Sequence, residues 1–196
     1  MNSSLAQIES ALAEKQDLRL FLDYDGTLAD FVSRPDIVEP VPEVLDLMKA
    51  LLAAGHIQPA IVSGRMLRHL RELIPLEGIL LAGTYGLEID MPDGQIVNQV
   101  DPATIRPQLD RLKPEWQALI KGQDVFHLED KVWTLAIHAR WADEQSAEEV
   151  LSSAQAVAEQ SLDPAIFQIR PGHRFLEVGP IQANKGLCVA YLMEKF

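Results

Sequence analysis

The stretch Leu20-Phe21-Leu22-Asp23-Tyr24-Asp25-Gly26-Thr27-Leu28 limits the fold more than any other part of the chain. Residues 19–22 form a short, mostly apolar run, the pattern of a strand buried in a parallel sheet. Asp23 and Asp25 do not suit the inside of such a run, which places them just past its carboxyl end, where open α/β sheets bind ligands. Side chains at i and i+2 of an extended segment point the same way, so both carboxylates can face one pocket. Gly26 lets the backbone turn sharply after them. Two acids this close repel each other unless a cation sits between them or one carries a proton. The pair suits a division of labour between a nucleophile and a general acid and base. An Asp-Gly turn with solvated acids is the simpler alternative. The apolar strand, the paired acids and the trailing Gly-Thr together favour chemistry.

The rest of the chain reads as an α/β protein. Residues 3–14 carry apolar side chains at helical spacing, and residues 30–42, with three prolines, read as a loop beside the pocket. A helix is expected over 43–54, a strand over 58–62, a helix opening at Ser63-Gly64-Arg65 and stopped by Pro75, and a strand over 78–81. This β-α-β-α-β order with short links predicts a doubly wound parallel sheet. The pattern then changes. Residues 87–89 and 95–98 flank a turn at Met91-Pro92-Asp93-Gly94, and further strands are expected at 125–129, 132–138, 166–170 and 174–178. Helices are expected at 102–121 and 143–161, with Pro107 and Pro114 near the start of the first or kinking it. Mixed hairpins and helices describe an α+β unit inserted at residues 87–178 into a core of residues 1–86 and 179–196. Asn184 then caps a last helix over 185–194.

The chain has 196 residues and a formal net charge of −12, which argues against nucleic acid or an anionic membrane as the main partner. The single cysteine, Cys188, rules out an internal disulfide and falls in an apolar helical pattern, as a core residue would. The apolar runs are too short to span a membrane, and the first 16 residues lack the pattern of a signal peptide. The expectation is a soluble cytoplasmic chain. Its oligomeric state is not legible.

Ser63 stands at a strand end and a helix start, where its hydroxyl and open backbone N–H groups can hold an anion. It can equally be a plain N-cap. Lys185 opens a helix, where a cation opposes the macrodipole, so it is either held for an anionic ligand or simply solvated. The same two readings apply to Arg65. Taken together, the acidic pair, a hydroxyl donor and a lysine read as phosphoryl transfer assisted by a divalent cation. Magnesium prefers carboxylate oxygen and water, which two aspartates at one strand end supply. No P-loop and no His/Cys cluster for zinc is seen.

Asp-Tyr-Asp-Gly-Thr, Ser-Gly-Arg and Asn-Lys-Gly, in that order, resemble the haloacid dehalogenase superfamily of phosphatases. Residues 21–31, Val62-Ser-Gly-Arg65, residues 81–88, Leu128-Glu-Asp-Lys131, His138-Ala-Arg140 and Leu176-Glu-Val178 resemble the trehalose-6-phosphate phosphatase family. The resemblance implies a haloacid dehalogenase-like core whose insert is a mobile cap, acting on a small sugar phosphate. By it, Asp23 would attack phosphorus and Asp25 would protonate the departing sugar and then activate water. Ser63, Gly64 and Lys185 would bind phosphate. Asp23 and the backbone carbonyl of Asp25 would hold Mg2+. Arg65, Glu129, Lys131, Arg140 and Glu177 would bind substrate. From the residues alone, Glu129 and Lys131 flank a strand turn and read as a surface charge pair.

Three positions depart from that pattern. Tyr85 stands where histidine is usual, Ala139-Arg140 where Tyr-Arg is usual, and Gly179 where arginine is usual. They keep open another glycosyl phosphate as substrate. The family also places an acidic strand-end loop, which completes its metal site, beyond the position where this sequence ends at Phe196. A fragment of a longer enzyme is the expectation, with a non-catalytic sugar-phosphate-binding module as the alternative.

Overall fold

Apolar residues two apart build the first sheet. Strands β1 (Leu18–Leu22), β2 (Ile57–Val62) and β3 (Leu80–Gly83) lie side by side in chain order and run parallel. The structure, a computed structural model, describes residues 17–30 and 39–196. The helix expected over 3–14 and most of the proline-rich loop lie outside the described residues. The third strand was expected over 78–81 and starts two residues later. Strand β4 (Glu88–Asp90) pairs antiparallel with β3, and β5 (Ile96–Asn98) follows it at the edge. Two helices cover one face of the sheet, α1 (Pro42–Ala53) and α2 (Leu67–Leu73). Val44 and Met48 of α1 and Leu67, Leu70 and Leu73 of α2 bury against Ile61 and Leu81. Side chains alternate across a strand, so Ala60, Val62, Leu80 and Ala82 point to the opposite face.

The described chain divides into two compact units, one running through Val97 and resuming at Cys188–Phe196, the other Asn98–Leu187. The expected boundary at residue 87 is therefore corrected. The hairpin after Leu87 extends the first sheet, because β4 completes hydrogen bonds that β3 would otherwise leave open. At the other end the second unit continues past residue 178, since the strand Phe175–Pro180 runs beyond it and Ile181 N–H donates to Ile166 C=O.

The second unit opens on α3 (Pro102–Leu119), capped by the Asp101 carboxylate, which accepts from Ala103 N–H at 2.9 Å. Pro107 and Pro114 lie inside this helix, which runs on through both. Both prolines are exposed, while Ile105, Leu109, Leu112 and Trp116 are buried on the stripe that faces the core. Packing on that stripe outweighs the two missing backbone donors. Strands β6 (His127–Asp130) and β7 (Leu135–His138), helix α4 (Glu144–Ser161), and strands β8 (Phe167–Gly172) and β9 (Phe175–Pro180) complete the unit. The strands form an antiparallel sheet in the order β6-β7-β9-β8. Leu128, Leu135, Ile137, Leu176 and Val178 face α3 and α4 in one core. The last helix, α5 (Lys185–Lys195), starts in this unit and runs back into the first, where Cys188 and Leu192 pack on the face opposite α1 and α2. Helices thus cover both faces of the first sheet, as a doubly wound arrangement requires. Among the described residues, no helix is long and apolar enough to cross a membrane.

Candidate active site

The acidic motif folds as a closed turn. Tyr24 C=O accepts from the N–H groups of Thr27, Leu28 and Ala29, and Gly26 N–H donates to Ala29 C=O at 2.7 Å. Gly26 takes φ +77°, which a side-chain-bearing residue adopts only with strain. Asp23 follows β1 directly, and its Oδ1 accepts from Tyr24 N–H at 2.8 Å. Tyr24 is buried beneath the motif, and burial of its phenol raises the pKa, an effect that Arg65 partly offsets.

Asp25 meets Arg65 in a two-pronged ion pair. Arg65 Nε donates to Oδ2 at 2.9 Å and Nη2 to Oδ1 at 2.7 Å. Fork-to-fork pairs fix orientation as well as charge. The guanidinium is 8 % exposed and is engaged with Asp25, a contact that the sequence reading had not connected.

Ser63 is not a helix cap. Helix α2 begins at Leu67, and Met66 holds the cap position without a side-chain hydrogen bond. The reason is the turn after β3, which pulls Ser63-Gly64-Arg65 out of helical form. Tyr85 N–H donates to Ser63 C=O at 2.8 Å, and Thr84 N–H to Arg65 C=O at 2.7 Å. Making both bonds puts Thr84 at φ +47° and Tyr85 at φ +61°, positions that cost free energy in residues other than glycine. Ser63 Oγ is buried and accepts from Arg65 N–H at 3.2 Å. A Cβ on Gly64 would lie 2.9 Å from the Tyr85 ring, so Tyr85, where histidine was expected, requires a glycine beside it.

Asp23 and the main chain of Asp25 offer hard oxygen donors only, a set that suits magnesium, which keeps several waters and takes one or two carboxylates. Among the described residues no group of three or more His, Cys, Asp or Glu side chains gathers as a metal site. Cys188 is no competing nucleophile, because burial pushes its thiol up to about 11. Lys185 is the first residue of α5, just after Asn184, whose Oδ1 accepts from Gly186 N–H at 2.8 Å.

The remaining expected residues fall in the second unit, and of these Glu129 and Glu177 stand on the sheet face away from its helices. Register puts Glu129, Ala136, Glu177 and Arg170 in one row across four strands. Lys131 Nζ donates to Glu177 Oε1 at 3.0 Å, and Thr134 Oγ1 donates to the same atom at 2.8 Å. Glu177 is 1 % exposed. Glu129 lies 3.8 Å from Lys131 Nζ and 2.9 Å from His138 Nε2. Burial alone would raise the Glu129 pKa, but the His138 hydrogen bond and the nearby positive charge bring it below the usual glutamate range. These groups are an interlocked cluster and not a surface charge pair. Arg140 follows β7 on an exposed loop. Sequence reasoning missed Thr134 and quoted His138 only within a motif, without a role. Period-two alternation places both on the face of Ala136, but only strand register shows which carboxylates they meet.

The trehalose-phosphatase family profile matches residues 21–196. A probable trehalose-phosphate phosphatase 3 of Oryza sativa subsp. japonica is 30 % identical over 98 % of this chain and 56 % of its own length. A probable trehalose-phosphate phosphatase of Sinorhizobium fredii is 31 % identical over 87 % of this chain and 62 % of its own. The chain thus spans a little over half the length of these relatives. The C-terminal domain of C. albicans trehalose-6-phosphate phosphatase superposes with a TM-score of 0.82 at 21 % identity, over 98 % of this chain and 66 % of that one, a likeness of fold. With one profile running from the first acidic strand through the second unit to Phe196, the chain belongs to the trehalose-phosphatase family.

Proposed function

We propose that this chain carries the catalytic residues of a magnesium-dependent phosphatase that hydrolyses trehalose 6-phosphate to trehalose and phosphate. The observation that carries this reading is Asp25, held by the Arg65 fork two residues beyond Asp23 at the end of β1, in a chain matched by the family from residue 21 onward. An Asp23 carboxylate oxygen attacks phosphorus, the bond to the sugar oxygen breaks, and Asp25 gives that oxygen its proton. Water then attacks the aspartyl-phosphate, Asp25 takes its proton, and Asp23 is released as carboxylate. The Arg65 fork fixes the orientation of the Asp25 carboxyl group, which supports a proton-transfer role for it in this reading. Magnesium, held by Asp23 and the Asp25 carbonyl, would compensate the charge on the phosphoryl oxygens. Ser63, Gly64 and Lys185 bind phosphate in this reading, while Glu129, Lys131, Arg140 and Glu177 take the sugar from a cap that closes over it.

Phosphate release from trehalose 6-phosphate by the full-length protein tests the proposal. Asp23→Asn should lower kcat by at least ~1,000-fold, as removal of a nucleophile does in comparable enzymes, and full activity in that variant would overturn it. A second reading, a phosphatase for another glycosyl phosphate, is favoured by one observation. A Cβ at Gly179 would lie 2.4 Å from Thr134 Cγ2, so no arginine fits there without rearrangement. A panel of glycosyl phosphates ranks the two.

A further inference from the structure

The polar face of the second sheet carries a second row beside the carboxylates. His127, His138, Phe175 and Gly172 stand opposite one another on β6, β7, β9 and β8. His138 is the centre of this row. Its ring lies 6.1 Å from His127 on one side, with 27° between planes, and 6.3 Å from Phe175 on the other, with 30°. Phe175 is itself held over Gly172, where an added Cβ would lie 2.0 Å from its ring. Flanking rings leave the imidazole little freedom to turn, and in this orientation Nε2 meets Glu129 Oε2 at 2.9 Å. An ionised carboxylate only accepts, so Nε2 carries the hydrogen. The nearest lysine, Lys131, is 3.8 Å from Glu129 and donates to Glu177 instead. His138 is therefore the hydrogen bond that orients Glu129.

We propose that His138 is a positioning residue: held between His127 and Phe175, it fixes the Glu129 carboxylate so that its outward lone pairs meet the hydroxyls of the sugar. This rests on the reading of Glu129 as a sugar-binding group. It assigns His138 to substrate affinity and not to phosphoryl transfer. The ligand chemistry is a neutral polyhydroxyl moiety, since an acceptor carboxylate fixed in this way favours hydroxyl donors over a second phosphate.

The test is calorimetric titration of trehalose 6-phosphate into full-length protein in the Asp23→Asn background, where turnover does not consume the ligand. Steady-state kinetics with Asp23 intact run alongside. Glu129→Ala, His138→Phe and His138→Gln are compared. The glutamine amide reaches the position of Nε2 and donates from it, whereas phenylalanine keeps the ring and loses the donor. His138→Phe should weaken binding about tenfold and raise KM by a similar factor with kcat within about twofold, the cost of one charge-assisted hydrogen bond. His138→Gln should stay within about threefold of the parent. If His138→Phe does not fold, His138→Asn replaces it, its amide being too short to reach Glu129, and the same loss is expected. Weakening by Glu129→Ala with no effect of His138→Phe or His138→Asn overturns the positioning role and leaves the sugar site standing. Equal losses in His138→Gln and His138→Phe overturn it as well. No effect of Glu129→Ala overturns the sugar-site reading itself.

Discussion

Arg65 holds Asp25 through two nitrogens, and a lysine in its place would keep the charge but not the fork. Arg65→Lys should therefore lower kcat by about tenfold, the value of one charge-assisted hydrogen bond. Trehalose 6-phosphate hydrolysis by the full-length protein measures it, and an unchanged kcat would show that the fork does not orient the group proposed to transfer protons. Glu129 makes a prediction about pH. Its burial acts to raise the pKa, and the His138 hydrogen bond with the charges of Lys131, His138 and His127 lowers it further than burial raises it. A carboxylate with a depressed folded pKa contributes stability that is fully present above its unfolded value. That contribution is lost as pH falls through the folded value. The stability difference between the parent and His138→Phe should therefore be present above the ordinary glutamate range and narrow as pH falls below it. Urea unfolding at a series of pH values checks this, and a gap constant with pH would contradict it.

Strand pairing explains the departure at position 179. Gly179 in β9 lies against Thr134, whose methyl group fills the space a Cβ would need while its hydroxyl donates to Glu177. Gly179→Ala should destabilise by about 1–3 kcal/mol, as overpacking does. The same change should cost less in a Thr134→Ser background, which removes the methyl and keeps the hydroxyl. A double-mutant cycle in urea reads the coupling, and strict additivity would refute the contact. This element also shows what the sequence could and could not reveal. Strands β2 and β3, the Asp23–Asp25 placement after β1 and the Asn184 cap were legible because each rests on local periodicity or a local hydrogen bond, whereas β1, expected to be buried, is half-buried at the sheet edge. The Gly179–Thr134 contact, the Glu129–His138 bond and the Asp25–Arg65 fork were not. Each joins separate strands or loops, and its partner follows only from register or crossover geometry. The prolines of α3 misled for a similar reason, because a buried stripe on the far side of the helix decides its continuity. Ser63 reads from sequence as either an anion-holding hydroxyl or a plain N-cap, and the Thr84–Tyr85 turn, which claims its carbonyl, removes the second reading.

At the scale of the molecule, the buried clusters separate cleanly. One cluster belongs to Asn98–Leu187, and the other two belong to the first unit. A lid that closes over a site, the role proposed for the second unit, calls for a body that keeps its own core when the first unit loosens. The chain holds three tryptophans, and all of them, Trp116, Trp133 and Trp141, lie in the second unit. Trp116 is buried and donates to Ala154 C=O at 3.0 Å, so its emission follows that core. Far-ultraviolet circular dichroism follows the helices of both units. Gly86 is the place to separate them. It takes φ +95°, and an added Cβ would lie 2.2 Å from Cys188 Cβ, inside the first unit. Gly86→Ala should cost that unit about 2–4 kcal/mol from backbone strain and overpacking together. In urea the variant should show an early loss of helical signal that tryptophan fluorescence does not share, while fluorescence keeps the parent's midpoint. If both signals move together by the same amount, the two cores melt as one, and a cap that moves as an independent body loses its structural basis.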